Sequence, residues 1–379
     1  MWQRAGQGLA AAMAWVAMVG AGCGRVDFDT TGDGGGGALA LDLAQESVNL
    51  SSELEVRPRG GVPPYLFRST GRGEIDGVGR FLAANRPGPA TITVADQTGA
   101  EVSATVQVGG ASLLLLGGEA SGIPIESVLR SGDGRAWSPG GDLPSPRRSG
   151  RAVVLRDRLY YLGGQDLTSF HDDVWSSADG VSWTRVGALP RRMASFGLTV
   201  HQGELWIAGG YDQPGTDLDL VAHSRDGAAW TMAPPIPTGG RHSVGLISDG
   251  EDLYAVGGHG APGFLDDVLV LRGGATSWEV RPGSLPDTAD WGISTTLADR
   301  ALYSVAGLLM GSPDLVTWTV ATTLPSGMLE PAMVDFAGEL LVLGGSDVGL
   351  SSRDGQAFTS IPGLADGRVF STVVQFTPP

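Results

Sequence analysis

The chain has 379 residues, of which 60 are glycine, 23 proline and only 17% charged, so it is long enough for a buried core built from many short strands joined by turns. Its formal net charge of -16 excludes a phosphate-backbone partner, which would need clustered lysine and arginine, so no nucleic acid is expected. A single cysteine, Cys23, excludes any internal disulfide and leaves packing and hydrogen bonds to hold the fold.

Residues 1–22 have the form of an export signal. Arg4 supplies the charge, and Leu9 to Val19 is an apolar run too short to span a bilayer, which takes roughly 20 residues. Gly20-Ala21-Gly22-Cys23 follows, and this stretch resembles the lipobox of bacterial lipoproteins. It departs from that pattern in having Gly20 where a larger aliphatic is usual. The resemblance implies acylation of Cys23, anchorage to a membrane, and a place at the outer membrane or cell surface. Residues 23–38 are then a tether: the glycine run ending at Gly37 has nothing to bury. Asp27, Asp29 and Asp33 lack the downstream acid of a calcium loop and are expected to be solvated.

Residues 39–109 alternate with strand period. Ala90, Ile92 and Val94 face one way, Thr91 and Thr93 the other, and Val102, Ala104, Val106 and Val108 repeat the pattern. Turn signals at Gly60-Gly61, Pro63-Pro64, Gly71, Gly73 and Pro87-Gly88-Pro89 divide the strands and predict a β-sandwich. Gly61-Val62-Pro63-Pro64-Tyr65, Gly73-Glu74-Ile75-Asp76 and Asp96-Gln97-Thr98-Gly99-Ala100 resemble bacterial Ig-like modules. That resemblance implies a spacer, with adhesion as the alternative.

From residue 110 to 379 the chain repeats. An apolar strand ending in two small residues recurs at Gly117-Gly118, Gly163-Gly164, Gly209-Gly210, Gly257-Gly258, Ala306-Gly307 and Gly344-Gly345. An aromatic follows each at constant phase: Trp137, Trp183, Trp230, Trp278, Trp318 and Phe358. Copies of about 38 to 49 residues fit four-stranded units. Double glycine followed by a fourth-strand aromatic resembles the kelch repeat, and implies an all-β, six-bladed β-propeller. The first copy starts at Ala111 without a preceding strand, and the last residues, Arg368 to Phe376, have no glycine pair after them. The C-terminal strand is therefore expected to complete the first blade and close the ring.

Five copies carry a turn of the form Ser-x-Asp-x-x-x-aromatic: Ser131/Asp133, Ser177/Asp179, Ser224/Asp226, Ser312/Asp314 and Ser352/Asp354. The fourth copy has Arg272-Gly273-Gly274 instead. The pattern resembles the Asp-box of sialidase-type propellers, one residue shorter. An aspartate that binds its own turn amides is a hairpin device, so these five are expected to be structural.

Counting back from each glycine pair predicts two rings at the mouth of a central channel. One reads Arg148, Ala194, His242, Trp291 and Leu329; the next reads Ser149, Ser195, Ser243, Gly292 and Glu330. Side chains that differ on a repeated frame mark a binding surface. Trp291 breaks the repeat phase and suits stacking on a sugar or anchoring a partner, or else plugging the channel. Arg147, Arg148, Arg191, Arg192, Arg241 and Arg368 gather where the first strands begin, either to grip a carboxylate or to tie blades together. The neighbouring loops carry Asp166, His171, Asp172, Asp173, Asp212, Asp217, Asp219, His259, Asp266 and Asp267. No two histidines share a metal-binding spacing, so these loops are expected to be solvated, with no metal site and no cofactor; the alternative is a weak calcium site among their carboxylates.

The reading that results is a membrane-anchored envelope protein that binds a glycan or protein, without catalysis, through Arg148, Arg192, Arg241, His242, Trp291 and Glu330. The alternatives are a sialidase- or glycosidase-like hydrolase using Tyr211 and Glu330, and a structural scaffold. The kelch resemblance also suggests galactose oxidase, whose copper site needs a cysteine cross-linked to tyrosine; Cys23 is committed to the anchor.

Overall fold

Backbone alternation and glycine punctuation produce strands throughout, and the described residues contain no helix. The computed structural model describes residues 38–41, 47–48, 53–83, 88–108, 112–286, 293–297, 300–305, 307–326, 328, 330–336, 338–345 and 348–377. The expected export signal, Cys23, the tether as far as Gly37, and Trp291, Gly292 and Leu329 lie outside them.

Between residues 38 and 108 two sheets share one core. Leu66–Gly71, Gly88–Ala95 and Glu101–Val108 form an antiparallel sheet, which Ser47–Val48 joins in parallel along the last of these. Glu53–Glu55, Arg80–Ala83 and Gly73–Ile75 form the other. The side-chain period of two sends Ala90, Ile92, Val94, Val106 and Val108 inward to meet Leu54, Val56 and Phe81. Asp96 fixes the final hairpin, accepting hydrogen bonds from the amides of Thr98, Ala100 and, across the fold, Val62.

Among the described residues, 112–377 form six four-stranded antiparallel sheets. The second runs Arg151–Leu155, Arg158–Leu162, Asp173–Ser177 and Thr184–Ala188; the third Gly197–His201, Glu204–Ala208, Val221–Ser224 and Thr231–Met232. The fourth runs Gly245–Ser248, Leu253–Val256, Val268–Leu271 and Glu279–Arg281, and the fifth Ile293–Leu297, Arg300–Val305, Leu308–Ser312 and Thr319–Thr323. Ala332–Phe336, Glu339–Leu343, Val348–Ser352 and Thr359–Pro362 make the sixth. The first sheet is assembled from both ends of this region. Thr372–Phe376 lies beside Ser112–Leu116, with Ser112 opposite Phe376, and Ser127–Ser131 and Ser138–Asp142 follow.

The first strand of each sheet adjoins the first strand of the next, and Thr372–Phe376 adjoins both Arg151–Leu155 and Ala332–Phe336. A cavity of about 270 Å³ is lined by Val153, Leu198, Leu246, Ser294, Met333 and Val374, one residue from each first strand. Six apolar clusters lie between successive sheets, including one between the sixth and the first. Each holds one repeat aromatic, packed against the preceding sheet: Trp183 sits with Leu114 and Leu116, and Trp137 with Leu341 and Leu343. The glycine pairs permit this approach. Gly163 and Gly164 have φ of 55° and 90°, and a Cβ on Gly163 would lie 2.7 Å from the carbonyl oxygen of Met193.

Candidate functional site

The residue after each of the first four glycine pairs leaves its sheet and pairs with the segment leading into the first strand of that same sheet. Glu119 bridges Val369, Gln165 bridges Arg148, Tyr211 bridges Ala194 and His259 pairs with His242. Sequence counting found one half of this arrangement, Arg148, Ala194 and His242. It missed the other half, which the position immediately after the glycine pair would have supplied.

Side chains from these bridges form a continuous arc. Arg148 pairs with Glu119, and the Gln165 side-chain amide donates to the Tyr211 hydroxyl at 2.5 Å. The Tyr211 ring lies 5.2 Å from Phe170 and 5.1 Å from His242, whose ring is 5.0 Å from that of His259. Phe264 follows at 5.0 Å and keeps 40% of its surface exposed. Asp217, at the end of the ribbon Tyr211–Gln213/Thr216–Asp217, holds His242 Nδ1 at 2.7 Å. One donor atom each from Asp217, His242 and His259 lie within 4.8 Å of one another. Spacing in the sequence does not reveal this trio because each residue comes from a different turn.

Beneath the arc, Ser149, Ser195, Ser243, Glu330 and Phe370 all have positive φ, between 41° and 56°. The amides of the three serines form a belt: Ser243 donates to the Ser195 carbonyl, Ser195 to that of Ser149, and Ser149 to that of Phe370. Of the second counted ring, Ser149, Ser195, Ser243 and Glu330 thus share one backbone conformation with Phe370, while Gly292 lies outside the described residues. Glu330 is fully buried, accepts the Ser243 hydroxyl at 2.7 Å and lies 3.4 Å from Arg151, which lines the cavity.

The arginines divide into two groups. Arg147, Arg241 and Arg368 are 4%, 0% and 1% exposed. Each donates to the carbonyl of a first glycine, namely Gly163, Gly257 and Gly117. Arg147 also grips both carboxylate oxygens of Asp173, and Arg241 those of Asp267. Burial disfavours the charge on Asp173, but the Arg147 hydrogen bonds and charge outweigh it and hold that carboxyl below its ordinary range. Arg241 thus ties strands together and offers no surface to a ligand. Arg192 is exposed, Arg191 pairs with Asp212, and Arg148 remains partly exposed beside Glu119.

Tyr211 is mostly buried, and that burial, followed by the negative charge of Glu330, raises its pKa. A phenol pushed upward is poorly prepared to act as a nucleophile. The five Ser-x-Asp turns are far simpler in chemistry. In the second, Asp179 Oδ1 accepts the Val181 and Ser182 amides while Ser177 Oγ accepts that of Gly180. The fourth sheet replaces this with Asp252, which accepts the Gly273 amide and pairs with Arg272. No protein-family model matches this chain, and no curated protein resembles it significantly.

Proposed function

We propose that residues 112–377 are a six-bladed β-propeller of kelch type, and that residues 38–108 are an Ig-like spacer. The succession of first strands, the cavity they line together and the cluster between sixth and first sheets support that reading. The protein is a recognition module held at the cell envelope. Its support is the apolar N-terminal run and the lone Cys23 abutting it.

The ligand surface is the arc Glu119, Arg148, Gln165, Tyr211, His242, His259 and Phe264. One observation carries this: side chains diverge in chemistry at the position after the glycine pair, while the tying arginines, Ser-x-Asp turns and wedge aromatics repeat. An exposed ring beside fixed donors and acceptors suits a glycan, which needs apolar stacking and oriented hydrogen bonds together. Hydrolysis is disfavoured, because three of the arginines are committed to internal partners and Tyr211 is pushed away from ionisation.

The test is a glycan array probed with the wild-type protein, Arg148→Ala and Phe264→Ala. Binding to one glycan class that falls at least about tenfold in both variants supports the reading. Capture of a protein, undiminished by free sugar, would replace it with protein recognition, and binding that both variants retain would move the site elsewhere.

A further inference from the structure

His242 and His259 are cross-strand partners on the small sheet Arg241–His242, His259–Gly260 and Gly263–Phe264. Residues directly opposite in an antiparallel pair carry their side chains on the same face, about 4.5–5.5 Å apart at Cβ, so the register itself brings the two imidazoles together. Asp217 reaches them from the adjoining ribbon, and its carboxylate already holds His242 Nδ1 at 2.7 Å. Another nitrogen, His259 Nδ1, is shielded from water and has no hydrogen-bond partner. A buried polar atom without a partner is uncommon and calls for an explanation.

We propose that Asp217, His242 and His259 form a binding site for a divalent transition-metal ion of the zinc type. Two imidazoles and one carboxylate are the donors that zinc accepts at an open site, whereas calcium and magnesium require a shell of oxygens. The donor atoms lie within 4.8 Å of one another. Tetrahedral zinc at about 2.0–2.1 Å from each ligand needs separations of about 3.3 Å, so closure of at most roughly 1.5 Å completes the site. His259 lies at the base of the short hairpin closed by the Gly260–Gly263 turn, and the proposal requires this hairpin to shift by that amount when the ion binds. Around the site, the Tyr211 ring lies 5.1 Å from His242 and Phe264 5.0 Å from His259, so apolar surface screens the ion on two sides. Three protein ligands leave the fourth position for water or an exogenous oxygen or nitrogen donor. This inference does not rest on the propeller or on glycan binding, since it needs only the three side chains and their ribbons.

The experiment uses the full-length chain, stripped with chelator, dialysed against zinc, and analysed for metal per chain. Competition with a chromogenic chelator gives the affinity, and cobalt(II) substitution gives a visible spectrum that reports coordination number. We expect one zinc per chain, a four-coordinate cobalt spectrum, and affinity lowered by both Asp217→Asn and His259→Ala at least about tenfold, the least that loss of even an outer-shell partner typically costs. His171→Ala, which alters a separate imidazole paired with Asp166, should leave binding intact. Sub-stoichiometric zinc in the wild type overturns the proposal, as does full zinc in Asp217→Asn and His259→Ala. Loss of zinc in His171→Ala alone would move the ion to the Asp166 loop and overturn it equally. Asp217→Asn preserves shape, so an unchanged thermal melt in that variant separates ligand loss from misfolding.

Discussion

Arg147 and Arg148 are adjacent in sequence, yet one is buried against Asp173 and the other is partly exposed beside Glu119. The strand-like alternation of side chains separates them, so neighbouring arginines serve packing and surface in turn. Arg241 repeats the buried role. Truncating it leaves Asp267 charged and unpaired in the interior, a change that typically costs about 3–5 kcal/mol. We expect Arg241→Ala to lower stability in urea by that amount, and Arg241→Lys to recover only part of it, because lysine lacks the planar fork. Arg148→Ala should stay within about 1 kcal/mol of wild type, as partly exposed pairs do. Counting along the sequence located both arginines near the first strands but did not distinguish their roles, since a shift of one residue reverses the facing of a side chain. The Asp217, His242 and His259 trio was illegible for a different reason: contact across separate loops leaves no spacing to read.

At the scale of the turn, the sequence was far more informative. A serine and an aspartate at fixed separation satisfy the amides of one hairpin, and that local device needs nothing from the rest of the chain. Asp314 shows its electrostatic consequence. The Thr317 and Val316 amides, aided by the Ser312 hydroxyl, lower its pKa from 3.8 to about 2. Asp179 and Asp354 shift in the same direction for the same reason, led by the amides of Ser182 and Ala357. A folded-state pKa below the unfolded value gives stability that is present above pH 3.8 and is lost as pH falls through about 2. Unfolding free energy should therefore decline with acid across that window. Asp314→Asn should flatten the decline while leaving the curve above pH 5 almost parallel to wild type. A slope that the substitution does not change would show that the acid sensitivity resides elsewhere. In the fourth sheet a carboxylate from a different turn, that of Asp252, accepts one amide of this hairpin instead.

For the molecule as a whole, the glycine pairs and the phase of the aromatics were legible because the same packing constraint is imposed six times. The identity of the strand that begins the first sheet was legible too, from the lack of a partner strand before Ala111. Removing Thr372–Phe376 takes the buried Val373, Val374 and Phe376 out of the core and opens the clusters on both sides of the first sheet. Burying such side chains contributes about 1.5–3 kcal/mol each, so the loss rivals the net stability of an ordinary domain. Deletion after Ser371 should abolish the cooperative urea transition and the near-ultraviolet signal of the packed tryptophans; a shortened protein that retains both would refute the closure. The way this strand is joined also sets how the protein answers a mechanical pull. Ser112 and Phe376 face each other at one end of the ladder, at the points where the chain enters and leaves the sheet. Tension applied to the two ends of the chain therefore peels the ladder apart one rung at a time instead of shearing all five rungs together. A molecule tethered by its N-terminal side and seized near its C-terminus would therefore yield first at that seam.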